Sequence, residues 1–406
     1  MNGQVRRGVF RGILFLLLFM PLLPLPLQAA NLQKALAPLV GPGDALLATD
    51  AEGRVLVSVN AGRRLVPASI LKVLTALVAL EHLGPSHRFI TEFYLDGERN
   101  LKIRGNGDPL LLSEEIQSIA AALSRRLGGE KRLSGLLLDD TLFGKPLAVP
   151  GIRSLSDQPY DSPNGALCVN FNTVRFERKN GRFVTGEPQT PLLPSVLGRI
   201  RKSGLSRGRV LLSGKNDACT RYAGEMFRHF LEKEGVTFSG KLRLAPVSSE
   251  DLFLHAHQSR FPLTEVIEKM LRYSSNFMAN QLLLAVGGKV HGEPATLEKG
   301  LAVARKYLAE VPGTDGTLLA EGSGISRKNR LSATAMMAIV ERFEPYRHLM
   351  RRNGRELYKT GTLTHISTRA GFIESESRGL VRFVVITNTP GKRADRISRK
   401  LMASLD

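Results

Sequence analysis

The chain has 406 residues, 43% of them apolar and 23% charged, with a formal net charge of +20. That is enough for two domains and a large core, and the ordinary apolar content excludes a disordered or low-complexity chain. The basic excess raises nucleic acid as a partner, yet no aromatic-basic stacking motif or zinc-finger spacing accompanies it.

Residues 1–30 carry Arg6, Arg7 and Arg11, then the apolar run "GILFLLLFMPLLPLPLQAA" ending in small residues. This is the pattern of a secretory signal peptide, with cleavage expected near Ala29 or Ala30. An uncleaved anchor needs about 20 uninterrupted apolar residues, and Pro21, Pro24 and Pro26 break the run. Loss of residues 1–30 removes three arginines and no acid, taking the formal charge from +20 to +17. For an exported basic chain, anionic envelope polymers or lipid headgroups replace nucleic acid as the expected surface partner; a generally basic, soluble surface is the plain alternative.

Next, "NLQKALAPLV" reads as a short amphipathic helix, and "ALLATD", the turn "AEGR" and "VLVSVN" as a hairpin. A helix over 69–83 follows. "RFITEFYLD" and "LKIRG" read as a second hairpin, and "SEEIQSIAAALSRRL" as a helix with Ser113 as N-cap and two glutamates in its first turn. "RLSGLLLDDTLF" reads as one strand, while 145–165 and 185–216 are rich in Pro, Gly and Ser. The texture marks 86–250 as an inserted region. "LTEVIEKMLRYSSNFMANQLLLAVGG" gives two helices with a break at Tyr273–Asn276, and "LSATAMMAIVERF" another helix. Three strands in "ELYKTGTLTHI", "TRAGFIES" and "LVRFVVITN" and a helix in "RADRISRKLMASL" close the chain. Cys168 and Cys219 leave a disulfide or two buried thiols open. His255 and His257 form an HxH without a third ligand, so no metal and no cofactor is expected.

The chemistry starts at Lys72. From Ser69 to Leu80 every residue except Ser69, Lys72 and Thr75 is apolar, so the helix belongs in a core. A buried ammonium tends to lose its proton, and Ser69, three residues earlier, shares the helical face. Serine needs a base beside it to act as a nucleophile. A lysine at its usual pKa of about 10.4 is neutral in roughly one molecule per few thousand at pH 7, so a depression of about three units, some 4 kcal/mol, is required. Burial and a second nearby cation both act in that direction.

Ser69-Ile70-Leu71-Lys72 is the sole S-x-x-K, the first of three motifs shared by penicillin-binding proteins and class A β-lactamases. The others are degenerate: S-x-N occurs at Ser58, Ser162 and Ser274, and K-[ST]-G at Lys202 and Lys359. Ser58 precedes the nucleophile within a strand. Ser162-Pro163-Asn164 and Lys202-Ser203-Gly204 are expected in loops with no helix or strand following. Ser274-Ser275-Asn276 sits in a break between helices and Lys359-Thr360-Gly361 opens a strand, so this later pair is preferred.

"PASILKVLTALVALEHLG", "RGNGDPLL", "ALCVNFNTV", "PLTEVIEKMLRYSSNFMANQLL", "EGSGISRKNRLS" and "YKTGTLTHISTRAGFI" extend the match across most of 31–406. The sequence resembles the D-alanyl-D-alanine carboxypeptidase/endopeptidase family, the class C low-molecular-mass penicillin-binding proteins. The long interval from Ser69 to Ser274 is its most specific feature, since class A β-lactamases have no such insertion. Ser275 replaces the frequent Asp or Asn, Asn280 stands where Glu is usual and Glu321 replaces Asp. The insertion is also shorter than in larger members.

The resemblance implies an α+β fold: a serine β-lactamase/transpeptidase-like domain (antiparallel sheet between helices) from 31–85 and 251–406, with an inserted, mostly β domain at 86–250. It implies an exported serine DD-peptidase, periplasmic or bound to the cell envelope, that hydrolyses peptidoglycan stem peptides and is acylated by β-lactams. Ser69 would be the nucleophile, Lys72 its base and Ser274 a proton relay. Asn276 would hold Lys72 and the substrate amide, Lys359 and Thr360 the terminal carboxylate, with Gly361 between them and Thr362. The backbone N–H groups of Ser69 and Thr362 would form the oxyanion hole. The alternatives are a β-lactamase or esterase on the same scaffold, marked by fast nitrocefin turnover, and a non-catalytic basic protein that binds envelope polymers in a salt-sensitive way.

Overall fold

The computed structural model describes residues 27–152, 158–212 and 217–405. Residues 1–26, most of the expected leader, lie outside that range. Helix α1 (Leu27–Leu36) begins upstream of the expected cleavage point. Strands β1 (Asp44–Thr49) and β2 (Val55–Val59) then pair antiparallel as the hairpin read from the sequence. A 3-10 turn, Ala68–Leu71, runs directly into α2 (Lys72–Leu83), in which every residue from Lys72 to Leu80 is buried.

The chain then leaves the first body. Strands β3 (Ile90–Leu95) and β4 (Leu101–Gly105) form the second expected hairpin. Helix α3 (Ser113–Leu127) follows, but Leu112 occupies its cap position without a side-chain bond. The buried Ser113 hydroxyl instead accepts from Asn170 Nδ2 at 2.7 Å and lies 3.0 Å from Thr190 Oγ1. Ser113 therefore ties the helix to the loops beneath it instead of capping it. The segment read as one strand is two, β5 (Arg132–Leu133) and β6 (Leu136–Asp139), separated at Ser134–Gly135.

Strands β7 (Thr173–Lys179) and β8 (Arg182–Thr185) precede helix α4 (Pro194–Ser203) and strand β9 (Arg207–Leu211). Helix α5 (Ala218–Lys233) and the short β10 (Thr237–Phe238) and β11 (Leu242–Leu244) come next, then β12 (Leu252–Gln258). A mixed sheet runs β11-β6-β4-β3-β12, β8-β7-β9 forms a second, and β5 pairs with β10. Helices α3 and α5 share one core with these strands through Ile116, Ile119, Leu123, Met226, Phe227 and Leu231. The expected mostly β insertion is thus half right: α3 and α5 supply one whole layer, because their apolar residues recur at helical spacing.

Back in the first body, α6 (Leu263–Tyr273), α7 (Asn276–His291) and α8 (Leu297–Ala309) pack about α2, with α9 (Ala333–Phe343). Helix α8 was not anticipated; Thr296 caps it by accepting from Lys299 N at 3.2 Å. Strands β13 (Arg351–Asn353), β14 (Glu356–Leu363), β15 (Ile366–Ser375) and β16 (Gly379–Thr387) complete an antiparallel sheet in the order β13-β14-β15-β16-β1-β2, and α10 (Ala394–Ala403) ends the chain.

Strand alternation builds three layers. Ala45, Leu47, Val384 and Ile386 face the α2 core, while Leu46, Ala48, Phe383 and Val385 face α1 and α10. Cys168 and Cys219 are buried and not joined by a disulfide. Burial pushes the Cys219 thiol up to about 12 and raises that of Cys168 as well. His257 pairs with Glu115 at 3.1 Å and His255 stacks on Phe93. Among the described residues, no group of three or more His, Cys, Asp or Glu is placed to hold a metal ion. Among the same residues, no helix is long and apolar enough to cross a membrane.

Candidate active site

Lys72 opens α2 with its side chain fully buried, directed back at the turn that precedes the helix. Its Nζ lies 2.9 Å from Ser69 Oγ, 2.8 Å from Asn276 Oδ1 and 2.8 Å from the Ser323 carbonyl. Burial holds its pKa well below the usual lysine range, and the charge of Lys359 adds to this while Glu321 opposes it. A neutral amine has two N–H groups and one lone pair. Asn276 Oδ1 and the Ser323 carbonyl can only accept, so they take both N–H groups. The lone pair is left facing the Ser69 hydroxyl, which then donates to it. Asn276 is held in that orientation because its Nδ2 donates to the Tyr160 carbonyl at 3.1 Å.

The break between α6 and α7 sets the opposite wall. Ser274 adopts a left-handed φ of 55° and ends α6, and Ser275 caps α7 by accepting from Met278 N at 3.2 Å. Two short devices in succession turn the chain so that Ser274 and Asn276 both project into the cleft. Ser274 Oγ accepts from Lys359 Nζ at 2.9 Å, and Lys359 also donates to the Thr360 carbonyl at 2.6 Å. Burial, then the charge of Arg351, brings the Lys359 pKa down to about 7.

Strand β14 carries Lys359 and Gly361 on its buried face, with Thr360 and Thr362 exposed. A Cβ at Gly361 would lie 2.6 Å from Ser69 N and 2.3 Å from Thr368 Oγ1. Only glycine lets the strand approach the nucleophile's own backbone amide this closely. Strand β13 pairs only with Glu356–Tyr358, so from Lys359 onward the outer edge of β14 has no strand partner. An extended peptide can add to such an edge. Gly324 seals the other side: its Cβ would sit 1.9 Å from the Ala68 carbonyl.

The structure therefore brings Ser69, Lys72, Ser274, Asn276 and Lys359 into one hydrogen-bonded chain, with Thr360, Gly361 and Thr362 on the adjacent strand. The discarded triplets are not assembled. Lys202-Ser203-Gly204 was expected in a loop; it closes α4, Gly204 caps it at φ 67°, and β9 follows. Lys202 is exposed on the inserted body. Asn164 packs behind α7, its Nδ2 2.9 Å from the Phe277 carbonyl and 2.8 Å from Gln281 Oε1.

Sequence reasoning did not assign a role to the carboxylate under the site. Glu321 is fully buried. Its Oε1 accepts from Gly324 N at 2.7 Å, Asn329 Nδ2 at 2.8 Å and Ser326 N at 3.3 Å. Its Oε2 accepts from Ser323 N at 2.7 Å and Asn280 Nδ2 at 3.1 Å. The 321–326 loop is folded around this carboxylate, which aims the Ser323 carbonyl at Lys72. Asn280 and Glu321, two of the three departures noted above, are thus in contact: an amide donating to a longer acid replaces a pair of acids that would repel. The signal was present in "EGSGISRKN", where one acid precedes a run of small residues with many unpaired amides.

The sequence matches the D-Ala-D-Ala carboxypeptidase 3 (S13) family over residues 30–207 and 198–348. It is 28% identical over 338 residues to the D-alanyl-D-alanine carboxypeptidase of Actinomadura sp. (strain R39), covering 71% of this chain and 62% of that protein. The match thus spans less than two thirds of that relative. It is 25% identical over 404 residues to D-alanyl-D-alanine carboxypeptidase DacB of Haemophilus influenzae, covering 83% of each. In structure it is similar to penicillin binding protein 4 (dacB) from Haemophilus influenzae, with a TM-score of 0.72 and 22% identity over 93% of this chain and 99% of that one. That likeness establishes the shared fold. With the S13 match extending over most of the chain, from the helix of Ser69 through the Ser274 break to the Glu321 loop, the protein belongs to the D-Ala-D-Ala carboxypeptidase 3 (S13) family.

Proposed function

We propose that this protein is a serine DD-peptidase that hydrolyses peptidoglycan stem peptides through an acyl-serine intermediate. The observation that carries the reading is the buried Lys72 amine 2.9 Å from Ser69 Oγ, with both its N–H groups taken by other acceptors. Ser69 Oγ attacks the carbonyl carbon of the penultimate D-alanine while its proton passes to Lys72. The developing oxyanion is met by the N–H groups of Ser69 and Thr362. The C–N bond then breaks, and the proton reaches the leaving amine by way of Ser274. Asn276 orients Lys72 and the substrate amide, Lys359 and Thr360 hold the terminal carboxylate, and Gly361 keeps β14 against the serine. Water releases the acyl group.

β-Lactams acylate Ser69 by the same route; the complex of the Haemophilus influenzae protein with a β-lactam supports this. The expected leader fits an exported enzyme, periplasmic or bound to the cell envelope, and the basic surface fits anionic envelope polymers. The inserted body extends to Gln258 rather than 250, because β12 hydrogen-bonds to β3.

Intact-protein mass spectrometry after brief exposure to a fluorescent penicillin tests the reading. One adduct is expected on the wild type and none on Ser69→Ala. A folded wild type with no adduct and no nitrocefin turnover would return the protein to the binding-only alternative; rapid turnover without a lasting adduct would favour the β-lactamase alternative.

The site also sets a pH profile. Lys72 must be neutral, so acylation climbs with pH as its depressed pKa is passed. Lys359 must be charged to hold a carboxylate, and its pKa of about 7 makes kcat/KM fall on the alkaline side, since that ratio reports the free enzyme. Acylation rates measured from pH 5 to 9 should trace a bell whose alkaline limb lies near 7. A rate still rising through pH 9 would rule out a cationic role for Lys359.

A further inference from the structure

A cavity of about 730 Å³ opens beside the cleft, between the inserted body and the α6–α7 break. The size suits a ligand of several residues' bulk. Ser274 belongs to both spaces: it lines this cavity, and its Oγ accepts from Lys359 Nζ at 2.9 Å. The mechanism above places the carboxylate of the leaving residue at Lys359, so whatever extends beyond that residue is delivered to the rim formed by Tyr273 and Ser274.

Several independent features mark the cavity as a built surface. Tyr273 is 69% exposed at the rim, a large aromatic left open to solvent beside the nucleophile's cleft. Across from it, Asn170, Phe171 and Asn172 hold φ values of 51°, 58° and 53°. Three consecutive left-handed residues without a glycine are strained, and such strain persists where the surroundings enforce it and function uses it. The turn is pinned by Asn170 Oδ1 accepting from Ser113 N at 3.1 Å and by Asn172 Nδ2 donating to the Pro163 carbonyl at 2.8 Å. It sets Phe171 edge-on against Phe277 in the cavity wall. The charged lining is Arg209, Arg260 and Lys269 against Glu114 and Glu187, a net cationic wall.

We propose that this cavity binds the leaving half of a cross-linked substrate: a second stem peptide whose side-chain amine is joined to the D-alanyl carbonyl that Ser69 attacks. The proposal rests on the serine DD-peptidase reading and adds to it the site that distinguishes an endopeptidase from a carboxypeptidase. The chemistry is unchanged. The Ser69 Oγ–C bond forms, the C–N bond breaks, and the serine proton leaves with the amine; here the departing amine carries a peptide instead of being free D-alanine. Tyr273 and Phe171 supply apolar contact for that peptide, and Lys269 and Arg209 face its carboxylates.

The test compares a stem pentapeptide ending in D-Ala-D-Ala with a cross-linked stem dimer, for the full chain and for Gln189→Trp and Lys269→Ala. Gln189 is exposed on the cavity lining, and an indole there fills the space. Gln189→Trp should lower kcat/KM for the dimer tenfold or more, and Lys269→Ala severalfold through KM. Both variants should cleave the pentapeptide within twofold of the wild type and form the penicillin adduct at the wild-type rate, which also shows that they fold. Equal losses on both substrates, unchanged dimer cleavage, or a wild type that cuts the pentapeptide but not the dimer would each overturn the assignment. If the wild type acylates no serine and cuts neither substrate, the DD-peptidase reading falls and the cavity assignment falls with it.

Discussion

Lys72→Met should slow acylation by penicillin by about three orders of magnitude, the upper range for loss of a positioned general base, while the protein remains folded. Methionine fills a similar volume but has no lone pair basic enough to take the serine proton. The same substitution should change how stability depends on pH. Lys72 and Lys359 are both neutral in the fold at pH values where the unfolded chain binds a proton on each. When the unfolded state binds more protons, stability rises with pH. For Lys359 the window runs from about 7 up to the unfolded pKa of about 10.4. Each such lysine contributes a slope of about 1.4 kcal/mol per pH unit inside its window. Between pH 7 and 9 the wild type should therefore gain about 3 kcal/mol more than Lys72→Met does, read from urea unfolding at each pH. Equal gains would show that Lys72 keeps its proton in the fold, and the base assignment would go with it.

Glu321→Gln should cost about 4 kcal/mol of stability and slow acylation at least tenfold. The carboxylate accepts from five N–H donors. An amide offers one oxygen and turns an NH2 toward the remaining donors, leaving two or three buried N–H groups unpaired at about 1–3 kcal/mol each. The loop that points the Ser323 carbonyl at Lys72 then loses its anchor. A purely structural effect stops there, but Glu321 also favours the charged form of Lys72. Its neutral replacement should move the acid limb of the acylation profile to lower pH and leave the alkaline limb near 7 in place. An acid limb that stays put would show that Glu321 acts on the loop alone.

These two residues mark the division between local and long-range information. Lys72 was legible because its anomaly is local: a charge in an apolar helical run, three residues from a serine, needs no tertiary contact to be noticed. The hairpins β1–β2 and β3–β4 and the α6–α7 break were legible for the same reason, since alternation, turn residues and helical spacing act within about ten residues. Where the reading went astray, distant partners had overridden local preference. Ser113 looked like a cap but is claimed by Asn170 and Thr190, and the helices of the insertion were underweighted because Pro and Gly dominate the loops around them.

The sequence by itself determined the nucleophile and its base, the order of the three motifs and the resemblance that names a family, because each lies in a short run whose chemistry follows from spacing. Only the tertiary structure decided which S-x-N and which K-T-G join Ser69. It also decided that Lys72 is met by groups 204 and 251 residues away, and that Glu321 holds the loop supplying one of them. The physical reason is that a side chain's pKa and lone-pair direction depend on what surrounds it in space. For Lys72 those surroundings come from chain segments that only the closed fold brings together.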